Sequence, residues 1–277
     1  IANNPNLGIF DERVLDFVSA RLAKLLREAD AALQPVTAGA GAVALPGMNR
    51  NRRHLRAATD NDMTALRFDD AAGKPYIVFV NYTAHGTIMT PDIMQVSGGW
   101  PGVMQRTVED VLGGGVTCMY SNGAEGDVAP AGYTGGSRWE MAEGYGRKAG
   151  LAAARLAESI ATKPVTDFRM VAHWVQLPAR TPSPDFMKIA GDEYKVDEQM
   201  LAMLLGVLFP GDAAIYGLRV NDFGMVAFPG EPVTEIGLAV KQRLREAGIA
   251  HPIVAALTND LIGYILTADE YAQSGYE

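Results

Sequence analysis

The chain has a single cysteine, Cys118, among 277 residues, so no internal disulfide can form and stability must come from a packed core. No apolar run approaches the roughly 20 residues that span a bilayer. The longest candidates, Tyr76–Tyr82 and Met200–Phe209, stop well short. Basic residues are in the minority, with 24 Lys and Arg against 32 Asp and Glu, a net charge of −8 and a pI of about 5.1. Surfaces that bind nucleic acid are normally basic, so the balance argues against such a partner. Repeats, low-complexity tracts and linkers are missing, as is the G-x-S-x-G elbow of a serine hydrolase. Gly113-Gly114-Gly115 lacks both the order and the following helix of a nucleotide-binding turn. What remains is 48% hydrophobic and 20% charged residues with a mean hydropathy of +0.02, which is globular composition. Ile1 rather than Met opens the sequence, and Tyr271–Glu277 read as a helical stretch cut short. A fragment or processed chain is therefore expected.

The hydrophobic periodicity alternates between helix and strand. Phe10–Leu33 carries Val14, Val18, Leu22, Leu25, Ala29 and Leu33 on one face, the spacing of an amphipathic helix. Tyr76–Tyr82 is continuous and rich in β-branched residues, as a strand covered on both faces would be. Val36–Leu45, Thr64–Phe68, Val116–Ser121, Phe168–Leu177 and Ile253–Leu257 also read as strands. Ala214–Val220 and Phe223–Phe228 flank Asn221-Asp222, a hairpin signal. Helices are expected over Trp100–Leu112 and Val196–Leu208. A longer one begins at the Ser137/Glu140 capping box and runs to about Ala161, and another opens at Pro232 and closes at Gly248. The pattern predicts a single α/β domain over residues 1–277, a mixed sheet flanked by helices.

Four of the strands run into polar clusters. These are Thr83-Ala84-His85-Gly86-Thr87, Asn122 through Pro130, Pro229-Gly230-Glu231-Pro232, and Thr258 through Tyr264. Open α/β sheets bind ligands beyond the carboxyl ends of their strands. Imidazole, carboxylate and phenolic oxygen gathered there suit a zinc ion that keeps a position for water.

The same clusters carry a resemblance. Asn81 through Met89, Ser97-Gly98-Gly99-Trp100-Pro101-Gly102, Gly126-Asp127-Val128-Ala129-Pro130, Pro229-Gly230-Glu231, and Asn259 through Glu270-Tyr271 follow in the order of the neutral/alkaline non-lysosomal ceramidase signature. The chain resembles the catalytic domain of that family from Gly47 to Tyr276, without the large C-terminal β-rich domain of its long members. The resemblance implies a secreted or periplasmic zinc amidohydrolase that cleaves the N-acyl bond of ceramide or a related lipid. It also implies peripheral contact with a membrane. It implies zinc held by two histidines, a glutamate and a tyrosine. His85, Glu231 and Tyr264 match three of these, and no residue matches the first histidine, which would lie upstream of the helix beginning near Phe10. Asp127 matches a block residue with a catalytic or structural role. Arg50 and Arg52 both neighbour the position of a family arginine that would bind a substrate carbonyl or carboxylate. Two positions depart from the pattern: Ala129 replaces the family serine, and Gly98 stands where an acidic or amide residue is common.

Other polar residues have blander readings. Glu125 is expected at the surface, and His54, His173 and His251 are expected to be structural or exposed. Two further functions fit the same residues: hydrolysis of a different amide or ester on this scaffold, and a non-catalytic binding protein that has lost the chemistry.

Overall fold

The computed structural model describes residues 10–180, 197–208 and 211–273. They fall into two compact units. The smaller holds two helices. Helix α1 (Glu12–Ala31) starts where the Asp11 carboxylate accepts from the Arg13 amide at 3.0 Å. Asp197 does the same for the Met200 amide at the start of a Met/Leu-rich helix that ends at Leu208. Both are the side-chain caps that orphan helix amides require.

The larger unit, residues 36–177 and 211–273 of those described, carries the candidate site. Its strands are β1 (Thr37–Ala44), β2 (Asn49–Asn51), β3 (Asp62–Asp69), β4 (Pro75–Tyr82), β5 (Thr117–Asn122), β6 (Val128–Pro130), β7 (Lys163–Pro164), β8 (Phe168–Gln176), β9 (Asp212–Val220), β10 (Phe223–Ala227), β11 (Glu231–Pro232), β12 (His251–Ala255) and β13 (Tyr264–Ile265). In chain order its helices are α2 (Gly99–Leu112) and α3 (Arg138–Ser159), then, numbering the Glu198–Leu208 helix as α4, α5 (Thr234–Glu246) and α6 (Ala268–Ala272).

The class is α/β, with two mixed sheets where the sequence pattern gave one. The first runs β5-β4-β3-β1-β7, with β4 and β5 parallel and the other pairs antiparallel. The second runs β12-β10-β9-β8, with β10 and β12 parallel. The period of two along β4 explains how they stack. Val78, Val80 and Tyr82 point into a core shared with Trp100, Met104 and Val108 of α2 and Tyr145, Ala149 and Ala153 of α3. Phe79 points the other way and packs with Leu66, Phe223 and Ile253 between the two sheets. The expectation of a strand covered on both faces holds, but a second sheet supplies one of the covers.

Helices α2 and α3 approach closely because glycine lies at their contact. A Cβ at Gly146 would stand 2.5 Å from the Trp100 carbonyl, and one at Gly150 would stand 2.5 Å from the Thr107 Cβ. The Ser137/Glu140 capping box forms as the sequence predicts. Asn221 takes φ +54° in the β9–β10 turn, a conformation that asparagine tolerates better than most residues. The carboxyl ends of the two parallel pairs are stitched together. Asn81 Nδ2, buried at the end of β4, donates to the Val254 carbonyl of β12 at 2.9 Å, and the Ala256 amide donates to the Asn122 carbonyl at 3.1 Å. All four polar clusters therefore open at one edge.

Candidate functional site

His85 lies three residues beyond β4. Its amide and its Nδ1 both meet the Val128 carbonyl, at 3.1 and 2.9 Å, and its own carbonyl accepts from Trp100 Nε1 at 2.9 Å. Trp100 is fully buried edge-on to Tyr82, Tyr120 and Tyr145, so the aromatic cluster under α2 fixes the histidine backbone. A carbonyl can only accept, so Nδ1 carries a proton, and Nε2 is the ring nitrogen left to face the partner on the other side. That Nε2 faces Glu231 Oε2 at 2.9 Å.

Glu231 is placed by a two-residue parallel ladder. It pairs in register with Tyr264, and its amide donates to the Gly263 carbonyl at 3.0 Å. The loop after β5 closes against the same strand, where the Gly126 amide donates to the Pro232 carbonyl at 3.0 Å. A side chain at position 126 would put its Cβ 2.7 Å from the Glu231 carbonyl, so only glycine permits this approach.

The two candidate arginines part company. In β2, Asn49 and Asn51 face inward and Arg50 faces solvent, as strand alternation demands. The chain turns after Asn51, and Arg52 swings inward. Its Nη2 donates to the Gly126 carbonyl at 2.9 Å and lies 3.1 Å from Tyr264 Oη, with the guanidinium over that ring at 5.8 Å. Asp127 holds this turn in place. One carboxylate oxygen accepts from Asn51 Nδ2 at 2.6 Å. The other accepts from both the amide and the hydroxyl of Thr234 at 2.7 Å, and the Asp127 carbonyl accepts from the Arg52 amide at 2.7 Å. These bonds tie β2 to the start of α5 and give Asp127 a positioning geometry.

His85, Glu231, Tyr264 and Arg52 thus come together, Asp127 bonds the Arg52 turn, and Arg50 is exposed on the β2–β6 ladder. Ala129 lies in β6 next to the His85 anchor Val128, paired in register with Arg50. His54 contacts Glu270, and His173 and His251 lie away from the cluster in β8 and β12. Cys118 is buried, which pushes its thiol up to about 12 and disfavours the thiolate.

Glu125 corrects the surface reading. Only 1% of it is exposed, and neither carboxylate oxygen finds a hydrogen-bond partner among the described residues. Burial, reinforced by the charge of Glu231 and opposed by Arg52, pushes its carboxyl up to about 8. The signal that could have found it is its place inside a strand-end Gly-rich loop, where even a charged side chain is enclosed.

Nε2 of His85 and Oε2 of Glu231 meet at 2.9 Å, a contact that either a proton on Nε2 or a cation bound to both atoms can hold. The Nδ1–H to carbonyl bond on the far side of the imidazole is the usual outer support of a metal-bound histidine. The donor chemistry fits a divalent cation of zinc type, with the Tyr264 phenol as a third donor. Among the described residues no group of three or more His, Cys, Asp and Glu side chains gathers for a metal, so this set depends on the tyrosine.

No family model matches the sequence, and no curated protein does. The structure, however, defines a class: its fold is that of the neutral ceramidases. It is similar to the crystal structure of neutral ceramidase from Pseudomonas aeruginosa, with a TM-score of 0.75 and 18% identity over 97% of this chain and 52% of that one. It is also similar to a ceramidase complexed with C2, with a TM-score of 0.73 and 18% identity over 91% of this chain and 51% of that one. The chain spans about half the length of these solved structures.

Proposed function

We propose that this chain carries the catalytic centre of a zinc-dependent amidohydrolase acting on the N-acyl bond of ceramide or a related N-acyl amide. The observation that carries this reading is the His85–Glu231 contact, backed on one side by the Val128 carbonyl and flanked on the other by Tyr264 and Arg52. The shared ceramidase fold supports it. His85 Nε2, Glu231 and Tyr264 would hold the ion. Bound there, zinc supplies a Lewis acid and a water whose pKa falls towards about 7. Arg52 is the cation placed to hold the acyl oxygen as charge develops on it, and its grip on Tyr264 and Gly126 keeps it aimed. Asp127 sets the Arg52 turn against the start of α5. An N-acyl lipid as substrate fits an exported protein that touches a membrane surface peripherally. None of the described helices is long and apolar enough to cross one.

Ala129 favours a second substrate class on the same centre. An alanine methyl offers no hydrogen bond to a substrate hydroxyl at that point, which suits an amide or ester without one. The test is zinc analysis of purified protein together with hydrolysis of a fluorescent short-chain ceramide and a matched amide lacking the primary alcohol. Bound zinc and cleavage of either substrate support the reading. A zinc-free protein that cleaves neither overturns it.

A further inference from the structure

Arg52 is followed by two more basic residues, Arg53 and His54, and neither points into the centre. Both turn to Glu270 in α6. Arg53 Nε donates to Glu270 Oε2 at 2.8 Å and its Nη2 to the Glu270 carbonyl at 3.0 Å. His54 Nε2 lies 3.1 and 3.2 Å from the two Glu270 oxygens. The Arg53 and Glu270 side chains are only 7% and 13% exposed, so the pair is largely withdrawn from water. Two rungs therefore join the same short segments: Arg52 to Tyr264 and Arg53 to Glu270. Between Tyr264 and Glu270 the chain is fixed by the β11–β13 ladder and by Thr267, whose hydroxyl accepts from the Glu270 amide at 3.3 Å. Between Arg52 and Arg53 it is fixed by Asn51 Oδ1, which accepts from the amides of Arg53 and His54 at 2.9 and 2.8 Å.

We propose that Glu270 is a positioning residue for this centre: by gripping Arg53 and His54 it holds the neighbouring Arg52 guanidinium against Tyr264 and Gly126. It acts through Arg52 and has no need to touch substrate. The physical argument is the weakening of a largely buried ion pair. Removing the carboxylate takes from the largely withdrawn Arg53 guanidinium the charge it meets at 2.8 Å and takes from His54 both of its Glu270 contacts, so the turn that carries them loses this tie to α6. Arg52 is bonded to Arg53 directly and moves with the turn. A shift of about 1 Å at a group that holds the reacting oxygen costs on the order of a hundredfold in rate. A carboxylate outside the centre thereby controls a cation inside it.

The inference deepens the amidohydrolase reading, so the test keeps the two separable. The first readout needs no turnover: the Arg52 Nε–H signal in nitrogen-15 NMR, assigned by its loss in Arg52→Lys. Glu270→Gln should shift that signal and quicken its exchange, and Glu270→Asp should do so less. The double variant Arg53→Glu/Glu270→Arg should restore it, which a generally destabilised fold would not. The second readout is hydrolysis of the short-chain ceramide or its hydroxyl-free analogue. There Glu270→Gln should lower kcat about 10- to 100-fold with KM changed less than threefold, and the charge swap should recover most of the loss. An Arg52 signal unmoved in Glu270→Gln overturns the positioning role, whatever the activity. A signal moved in Glu270→Gln, when the wild type neither binds zinc nor hydrolyses either substrate, keeps the positioning role and removes the hydrolase reading.

Discussion

Glu231 and Tyr264 are direct register partners in a parallel ladder only two residues long, and Arg52 bonds the phenol of that pair from the opposite side. The candidate centre is therefore assembled on short, irregular pieces of backbone at the edge of two larger sheets. Each piece is locked by amide–carbonyl bonds to a neighbour.

The metal donors can be tested first. His85→Ala and Glu231→Ala should each abolish stoichiometric zinc, measured by plasma emission after gel filtration. Val128 is a backbone support and cannot be deleted, but Trp100→Phe removes the bond to the His85 carbonyl. Trp100 fixes the His85 backbone and not its ring, so chelator competition should show a smaller loss of zinc affinity than His85→Ala.

The arginines separate by position. Arg52→Ala should lower kcat/KM by about 10²-fold, the loss typical of removing one group that stabilises a developing oxyanion. Arg50 is exposed and makes none of the bonds that fix Arg52, and Arg50→Ala should cost less than Arg52→Ala in the same steady-state assay.

Asp127 should show its role in stability. Asp127→Ala strands the Asn51 amide and the amide and hydroxyl of Thr234, and each buried group left unpaired costs about 1–3 kcal/mol. Urea denaturation should show a loss of several kcal/mol. A variant as stable as wild type but inactive would instead make Asp127 a direct participant in the chemistry.

Glu125 gives a pH signature. Burial holds its carboxyl at about 8 in the fold, against 4.5 for an unperturbed side chain. The folded state then binds more protons than the unfolded state across that window, so stability falls as pH rises from about 4.5 to 8. In protein freed of metal by chelator, Glu125→Gln should remove this slope. At pH 8–9 the variant should melt above wild type by an amount on the order of a few kcal/mol. Parallel melting curves for the two proteins would show that Glu125 is paired or hydrated in solution.

Ala129 tests substrate choice. Ala129→Ser supplies one hydroxyl beside the His85 anchor. A net hydrogen bond of about 0.5–1.5 kcal/mol should raise activity on ceramide roughly three- to tenfold and leave the hydroxyl-free amide unchanged.

Much of the frame was legible in the residues. The Ser137/Glu140 capping box, the Asn221-Asp222 turn and the strands at Tyr76–Tyr82 and Ile253–Leu257 are local features, written by side-chain period and by which residues satisfy a helix end. The polar clusters at strand ends could also be seen, and their order carried the resemblance to the ceramidase signature. What the sequence could not decide was long-range. Whether Arg50 or Arg52 faces inward depends on the register of β2 against β6 and on the turn that Asp127 holds, since alternation sends neighbouring side chains to opposite faces. Glu125 looked like a surface acid because its charge is local information. Its burial is set by how the loop after β5 closes against β11, which only the packing of residues distant in the chain determines. The second sheet was hidden for the same reason. A strand's pattern says that a face is covered, and only the tertiary structure says by what.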